Sequence, residues 1–483
     1  MKKILLLLAV AFLSVVSNAQ EEYDYSLEGL AKACLNYDKV CPFHDGRAIV
    51  EKGGKYGVID KQGNEVIPCK YNLIRDYSDG VAIVREQDDK FGVVDIQGNL
   101  IFQCKCDVMA DFSDGVAFVG KNYEEKMEIK YGVIDKKGNV VTSYKYNFAD
   151  TGKFNNGIAI VGNQFDNYSA WGIIDKQGNE MLPCEFKEIK ISEDIAILID
   201  RNKKYCAIDL QRKKLVVAFG DYSYIGDFNN GFATVAKRID ARTVYYGAID
   251  KNGKEIVPCK YRYMSNFLNG YAKIENILDE KIGKGLIDTL GREIVPCIYK
   301  EVGEFSDGLV YVESKQSMGG EKKFIDKNGE TAFVLNSNYC KVENFVDGLC
   351  EVRESTNGTL SSERAGFIDK SGNVIVPIKY KYVMSPSEGI CAVKNEDNKW
   401  GYIDKKGNVV IPFKYLTAFS FVDGFARVEV SRNEWSIIDK KGNDYKCIYE
   451  DAKLKNFSEG LAVVKKDGRY GYIDKKGRCT FDF

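Results

Sequence analysis

Two anchors alternate along almost the whole of this chain, and a sequence built that way folds as a row of like units. The first is an aromatic residue three positions ahead of a glycine, as in Phe43 and Gly46, Tyr77 and Gly80, Phe112 and Gly115, Phe154 and Gly157, and so on to Phe457 and Gly460. The second is an aspartate closing a short apolar run: Asp60, Asp95, Asp135, Asp175, Asp209, Asp250, Asp288, Asp326, Asp369, Asp404, Asp439 and Asp474. Twelve copies recur at a spacing of about 37 residues, with degenerate first anchors near Asp194 and Gly389. A unit that short cannot bury a core alone, so its apolar faces must meet those of its neighbours.

Within the first unit, strands are expected at 47–51, 55–60 and 65–68, with a tail through Tyr71 leading onward. Asp60-Lys61-Gln62-Gly63 suits a tight turn, because the aspartate side chain can accept backbone N–H groups and glycine tolerates positive φ. The alternation of acidic residues that a calcium loop needs is missing, so the aspartates read as turn formers rather than metal ligands. Two residues past the first-anchor glycine stands Ala48, Ala82, Ala117, Ala159, Ala233, Ala272, Ala426 or Ala462, elsewhere Ala196, Val310, Cys350 or Cys391. A column that small marks a tight contact between units. Prolines such as Pro68, Pro258 and Pro412 fall eight residues after the aspartate, where an edge strand needs no donor. With 45 glycines against 8 prolines, the expected fold is all-β. It is a tandem array of about twelve three-stranded antiparallel units in an open, curved or superhelical stack. The alternative is two tandem six-bladed propeller-like bodies.

Lys399-Trp400-Gly401-Tyr402-Ile403-Asp404-Lys405-Lys406-Gly407, followed by Val410-Ile411-Pro412, resembles the bacterial WG repeat family, as does Trp171-Gly172. Other units put Tyr or Phe before the glycine or lose the pair, as at Cys206-Ala207 and Trp435-Ser436. The resemblance spans the twelve repeats, residues 43–483. It implies a β-rich array of mostly unknown role and brings no catalytic residue with it. The aromatic column before the glycine (Tyr56, Phe91, Tyr131, Trp171, Tyr246, Trp400, Tyr470) is read as core packing, with a platform for sugar rings as the other use.

The chain opens with Lys2 and Lys3, an apolar run over 4–16 and the small exit Ser17-Asn18-Ala19, the pattern of a secretory signal at 1–19. A segment at 20–42 then precedes the repeats and is expected to cover the exposed edge of the last unit, unless a partner does so. Lys plus Arg (69) balance Asp plus Glu (70), which argues against nucleic acid as a partner, and no later run is long and apolar enough to insert in a membrane. His44 is the single histidine, so a histidine-based triad or multi-histidine metal site within one chain is excluded. No phosphate-binding loop or nucleophile elbow appears, and no cofactor is expected. Cys69, Cys104, Cys184, Cys259 and Cys297 share one repeat position and are expected as buried free thiols, whereas Cys34 and Cys41 could form a bridge.

The distance from each aspartate to the next first anchor is nearly constant, but from glycine to aspartate within a unit it is 14 or 15 residues in six units and 18 to 21 in units three, four and six to nine. One loop therefore carries the variation, and it is the candidate partner-binding feature. It holds Tyr123, Glu124 and Glu125 in unit three, Phe165 and Tyr168 in unit four, Asp240 and Arg242 in unit six, and Glu354 and Glu363 in unit nine. The sequence thus points to an exported, non-enzymatic binding or scaffold protein of the bacterial envelope, periplasmic, surface-bound or secreted. The partner is an unknown protein or glycan. A glycan-binding module is the alternative, and a hydrolase using paired carboxylates the distant one.

Overall fold

The structure, a computed structural model, describes residues 25–86, 90–123, 128–165, 167–278, 281–315, 320–355, 358, 362–449 and 457–483. The leader expected at 1–19 lies outside them. Twelve small antiparallel sheets follow one another along the chain, eleven with their strands paired in sequence order, while in the last both Ile448–Tyr449 and Phe457–Ser458 pair with Leu461–Lys466. In unit one the strands are Lys39–His44, Arg47–Lys52, Lys55–Asp60 and Glu65–Tyr71. Unit ten repeats the plan with Tyr382–Val383, Ile390–Lys394, Trp400–Asp404 and Val409–Tyr415.

Most units therefore have four strands where three were expected. The tail of one unit crosses over and contributes the first strand of the next, as Leu73–Ile74 does after Tyr71. Two residues are too few to show alternation, so this strand had no sequence signature of its own. The fourth strand pairs only with the third, and Pro68 sits exposed within it, as an edge strand allows.

The turn between third and fourth strands is the one the aspartates foretold. Asp60 Oδ1 accepts the N–H groups of Gln62 at 2.9 Å and Asn64 at 2.8 Å. Its Oδ2 accepts the Asn64 side-chain amide at 3.0 Å, and Gly63 adopts φ +83°. Asp95, Asp135, Asp175, Asp404 and Asp439 repeat this arrangement with Asn99, Asn139, Asn179, Asn408 and Asn443. The small-residue column is buried throughout, from Ala48 at 0 % to Ala159 at 3 % exposure.

The glycine of the aromatic-glycine pair has a separate cause. A Cβ on Gly57 would stand 2.5 Å from the Ile67 carbonyl oxygen and 2.8 Å from the Cys69 nitrogen. The ladder between third and fourth strands shifts register there, pressing the fourth strand's backbone onto the glycine. Three units lack the glycine. Cys206 and Lys323 stand in units whose fourth strands have only four residues (Lys214–Val217 and Thr331–Val334), and Ser436 lies in a sheet with no fourth strand.

The array closes into a propeller-like ring, so the closed alternative describes it and the open stack does not. At interior joints a residue of one unit's first turn grips the backbone of the next: Ser387 Oγ donates to the Phe421 carbonyl at 2.6 Å, and the Glu388 carboxylate accepts the Gly424 N–H at 3.1 Å. Lys440 of the following unit reaches the same carboxylate at 2.9 Å. Unit twelve makes the same three contacts with unit one through Ser458 and Phe43, Glu459 and Gly46, and Lys61 and Glu459. Closure thus joins unit one to unit twelve, and one ring contains all the repeats rather than two rings of six.

The helix Leu27–Cys34 lies over this seam. Ser26 caps it, its Oγ accepting the Gly29 N–H at 3.0 Å. Leu27, Leu30 and Ala33 enter one core with Phe43 and Ala48 of unit one and Leu461, Val463 and Tyr472 of unit twelve. Tyr25 donates to Asp474 at 3.0 Å from the same segment, and the Ser26 N–H to the Lys61 carbonyl at 3.0 Å. The segment ahead of the repeats therefore covers the last unit.

The cysteines follow their register with one correction. Cys69, Cys184, Cys259 and Cys297 are free, buried or half-buried, each thiol facing a carbonyl of the second strand. Cys104 is instead bridged to Cys106, with Cα atoms 5.4 Å apart. Its strand ends at Cys104, and the turn that follows brings Cys106, standing where unit one has Tyr71, within reach. Among the described residues this is the disulfide found, and none joins Cys34 to Cys41.

Candidate partner-binding edge

Second and third strands form a hairpin whose base is fixed. The residue after the first-anchor glycine pairs with the aspartate in unit after unit: Arg47 with Asp60, Val116 with Asp135, Ile158 with Asp175, Phe232 with Asp250, Tyr271 with Asp288. Extra residues can then only lengthen the far end. Unit one's hairpin strands are six residues each, but those of unit four, Ile158–Phe165 and Tyr168–Asp175, have eight, as do those of units three and seven. Because the bases are held in a ring, all long tips project from one edge, opposite the aspartate turns.

At this edge Phe165 and Tyr168 are 42 % and 38 % exposed and stack on each other with ring centroids 5.0 Å apart. Arg201 of unit five crosses to lay its guanidinium 3.7 Å from the Tyr168 ring. Tyr123 is 38 % exposed at the end of unit three's hairpin strand, with Lys121 beside its ring. Glu124 and Glu125 lie outside the described residues. Asp240 forms a turn, accepting the N–H groups of Arg242 at 2.8 Å and Thr243 at 2.9 Å. The Arg242 N–H foremost holds its carboxyl below the usual range. Arg242 itself is exposed.

In unit nine Glu354 pairs in register with Arg364, while Glu363 stands 3.7 Å from Arg353, which also pairs with Glu351 at 2.7 Å. These groups are half-buried, so Glu363 serves the hairpin as much as any partner.

Sequence reasoning missed exposed apolar residues on the same edge: Ile129 in unit three, Ile239 in unit six, and Ile277 and Ile282 in unit seven. They belong to the variable loops, where no repeat position flags them. It also missed the residue just before the first-anchor glycine, which is Asp, Asn or Glu in all twelve units. Every one has positive φ, from Asp45 at 51° to Glu459 at 50°. Those with carboxylates build the joints, on the opposite edge. The residue-type column was visible in the sequence, but its reach into the next unit was not.

The aromatic column is mainly packing. Phe91 and Trp400 are buried, and Tyr56, Tyr131, Trp171, Tyr246 and Tyr470 are half-buried. Trp171 nevertheless joins Tyr131 and Phe148 in lining a groove of about 570 Å³, beside Asn147 and Gln164. Phe148 and Trp171 stand 5.5 Å apart between ring centroids. Among the described residues no group of three or more His, Cys, Asp or Glu is placed to hold a metal ion, and no helix is long and apolar enough to cross a membrane.

The model of the WG-containing repeat matches the chain in eleven segments, at residues 33–56, 56–91, 91–124, 131–163, 171–205, 208–238, 246–276, 285–315, 366–400, 400–433 and 445–470. No curated protein matches in sequence. Among solved structures, a eukaryotic initiation factor is 11 % identical, covering 68 % of this chain and 94 % of its own, with a TM-score of 0.31. The tricorn protease is 9 % identical, covering 91 % and 62 %, with a TM-score of 0.26. The computationally designed Ika8 protein is 12 % identical, covering 77 % and 93 %, at 0.21. Likeness at that level carries nothing about function.

Proposed function

This chain belongs to the family of WG-containing repeat proteins, and from that premise we propose that it is an exported, non-enzymatic binding or scaffold protein of the bacterial envelope. Its partner sits on the edge of long hairpins. One observation carries the reading: length variation is confined to a single edge of a ring whose other features are consumed by turns and joints, and that edge displays Tyr123, Phe165, Tyr168, Ile239 and Ile277 to solvent. Exposed apolar tips on a rigid base are what a partner can bury. The leader pattern at 1–19 supports export.

A glycan-binding reading draws on the groove at Trp171, Phe148 and Tyr131, whose aromatic floor and amide-bearing walls suit a sugar. Both readings are tested with the mature chain against envelope extract and a glycan array, beside a variant whose hairpins in units three, four, six and nine are cut to the length of unit ten. Partner capture should fall at least tenfold with folding intact. Equal capture by the trimmed protein overturns the hairpin reading. Glycan signal lost on Trp171→Ala supports the second.

A further inference from the structure

The fifth unit departs from its siblings at the joint it makes with the fourth. Ile191 pairs with Ala196, the register in which Phe43 pairs with Ala48, Phe345 with Cys350 and Phe457 with Ala462. Ile191 thus holds the place of the anchor aromatic, and Asp194 that of the anchor glycine. At sibling joints the anchor ring packs on a ring of the preceding unit, as Phe154 does on Phe118 at 5.1 Å, Phe267 on Phe232 at 5.4 Å and Phe421 on Tyr402 at 5.0 Å. Between units four and five the corresponding side chains are Ile160 and Ile191. The residue that seals most joints with a carboxylate is Asn156 here, as it is Asn230 and Asn269 in units six and seven, so it is the missing ring that sets this joint apart.

The joint consequently stands open as a cleft of about 900 Å³, the size of a small-ligand site. Ile158, Ile160, Met181 and Ile191 remain part-exposed in it, whereas Val116 and Phe118, the counterparts of Ile158 and Ile160 in unit three, are buried. Its rim is charged. Glu193 is engaged by Lys251 at 2.7 Å and Lys190 by Glu188 at 3.2 Å. Asp175 is held by its own turn. Asp150, Asp194 and Asp227 make no ion pair within 4 Å among the described residues, and neither do Lys153 and Lys213, so the uncommitted charge leans negative.

We propose that this cleft binds a peptide segment presenting an aromatic side chain next to a basic one. The repeat itself defines the occupant's shape: the ring enters where ten sibling joints hold Phe or Tyr, and the cation faces Asp150, Asp194 and Asp227. The cleft opens on the edge of the aspartate turns, away from the long hairpins, so it is a site apart from the one proposed above.

Calorimetric titration of the full chain with acetyl-Phe-Arg-amide tests this, beside acetyl-Ala-Arg-amide, which lacks the ring, and acetyl-Phe-Glu-amide, which reverses the charge. Saturable binding of the first, at least tenfold tighter than the other two, is expected. Ile191→Phe, which restores the sibling ring, should weaken that binding at least tenfold while keeping or raising the melting temperature. Asp194→Gly should also weaken it, and decides the matter if the first variant does not fold. Absence of saturable binding, equal binding of the three peptides, or binding untouched by both substitutions overturns the proposal.

Discussion

The carboxylate of Glu459 accepts the backbone N–H of Gly46 at 3.0 Å across 413 positions of sequence, and Lys61 Nζ stands 2.8 Å from the same oxygen. The contact repeats, atom for atom, what Glu388 does with Gly424 and Lys440. The joint that closes the ring is therefore made like an interior one, and what distinguishes it is its cover, the N-terminal helix.

Glu459→Ala and Glu388→Ala should accordingly destabilise the protein to a similar degree, by about 1–2 kcal/mol each, the worth of a half-buried charge-assisted hydrogen bond. Denaturation midpoints of the two variants check this. In an open stack, Glu459→Ala would be silent.

Gly57→Ala is expected to cost about 1–3 kcal/mol, because its Cβ collides with backbone that cannot swing aside. Lys323→Ala, which keeps a Cβ at the equivalent position of a unit whose fourth strand is short, should change stability by about 1 kcal/mol or less. Similar losses at both positions would show that the register shift is not what demands the glycine.

Burial foremost pushes the thiols of Cys184, Cys259 and Cys297 up to about 11 from an ordinary 9.0. Native protein at pH 8 should resist alkylation at these positions and react once unfolded, whereas Cys104 and Cys106 should react only after reduction. The unfolded chain gives up these protons near 9 and the folded one near 11, so the stability they contribute is complete below pH 9 and drains away as the pH climbs toward 11. A variant with valine at the three positions should lose less stability than the parent between pH 9 and 11. Equal loss would remove the thiols as a cause.

What the sequence revealed and what it withheld divide along a physical line. Turn aspartates, small-residue contacts and edge prolines are local devices, and each declares itself by residue type at a fixed offset, as Asp60 with Gly63 and Asn64 shows. Even the lost glycines at Cys206, Lys323 and Ser436 were printed in the sequence, although their link to shortened fourth strands needed the ladder. Closure was invisible because Glu459 resembles Glu193 and Glu388 at interior joints, and such likeness does not say whether the last has a partner. The hairpin tips were found through length, since Phe165 and Tyr168 have no repeat register to betray them. Ile239 and Ile282 went unnoticed because a lone isoleucine in a loop is ordinary.

The helix Leu27–Cys34 also imposes an order in time. Interior joints unite residues some 35 to 43 positions apart and can form as soon as two neighbouring units exist. The helix finds half its seat on Leu461, Val463 and Tyr472 of the twelfth unit, which are made long after it. A chain emerging N-terminus first must therefore carry Leu27 and Leu30 uncovered until its twelfth unit has emerged. Closing a loop of 413 residues rather than one near 37 adds about 2 kcal/mol of entropy if attempted early. Propagation through the intervening joints removes that penalty by delivering units one and twelve together, so the helix made ahead of the repeats is the last to dock, and its burial reports that the circle is complete.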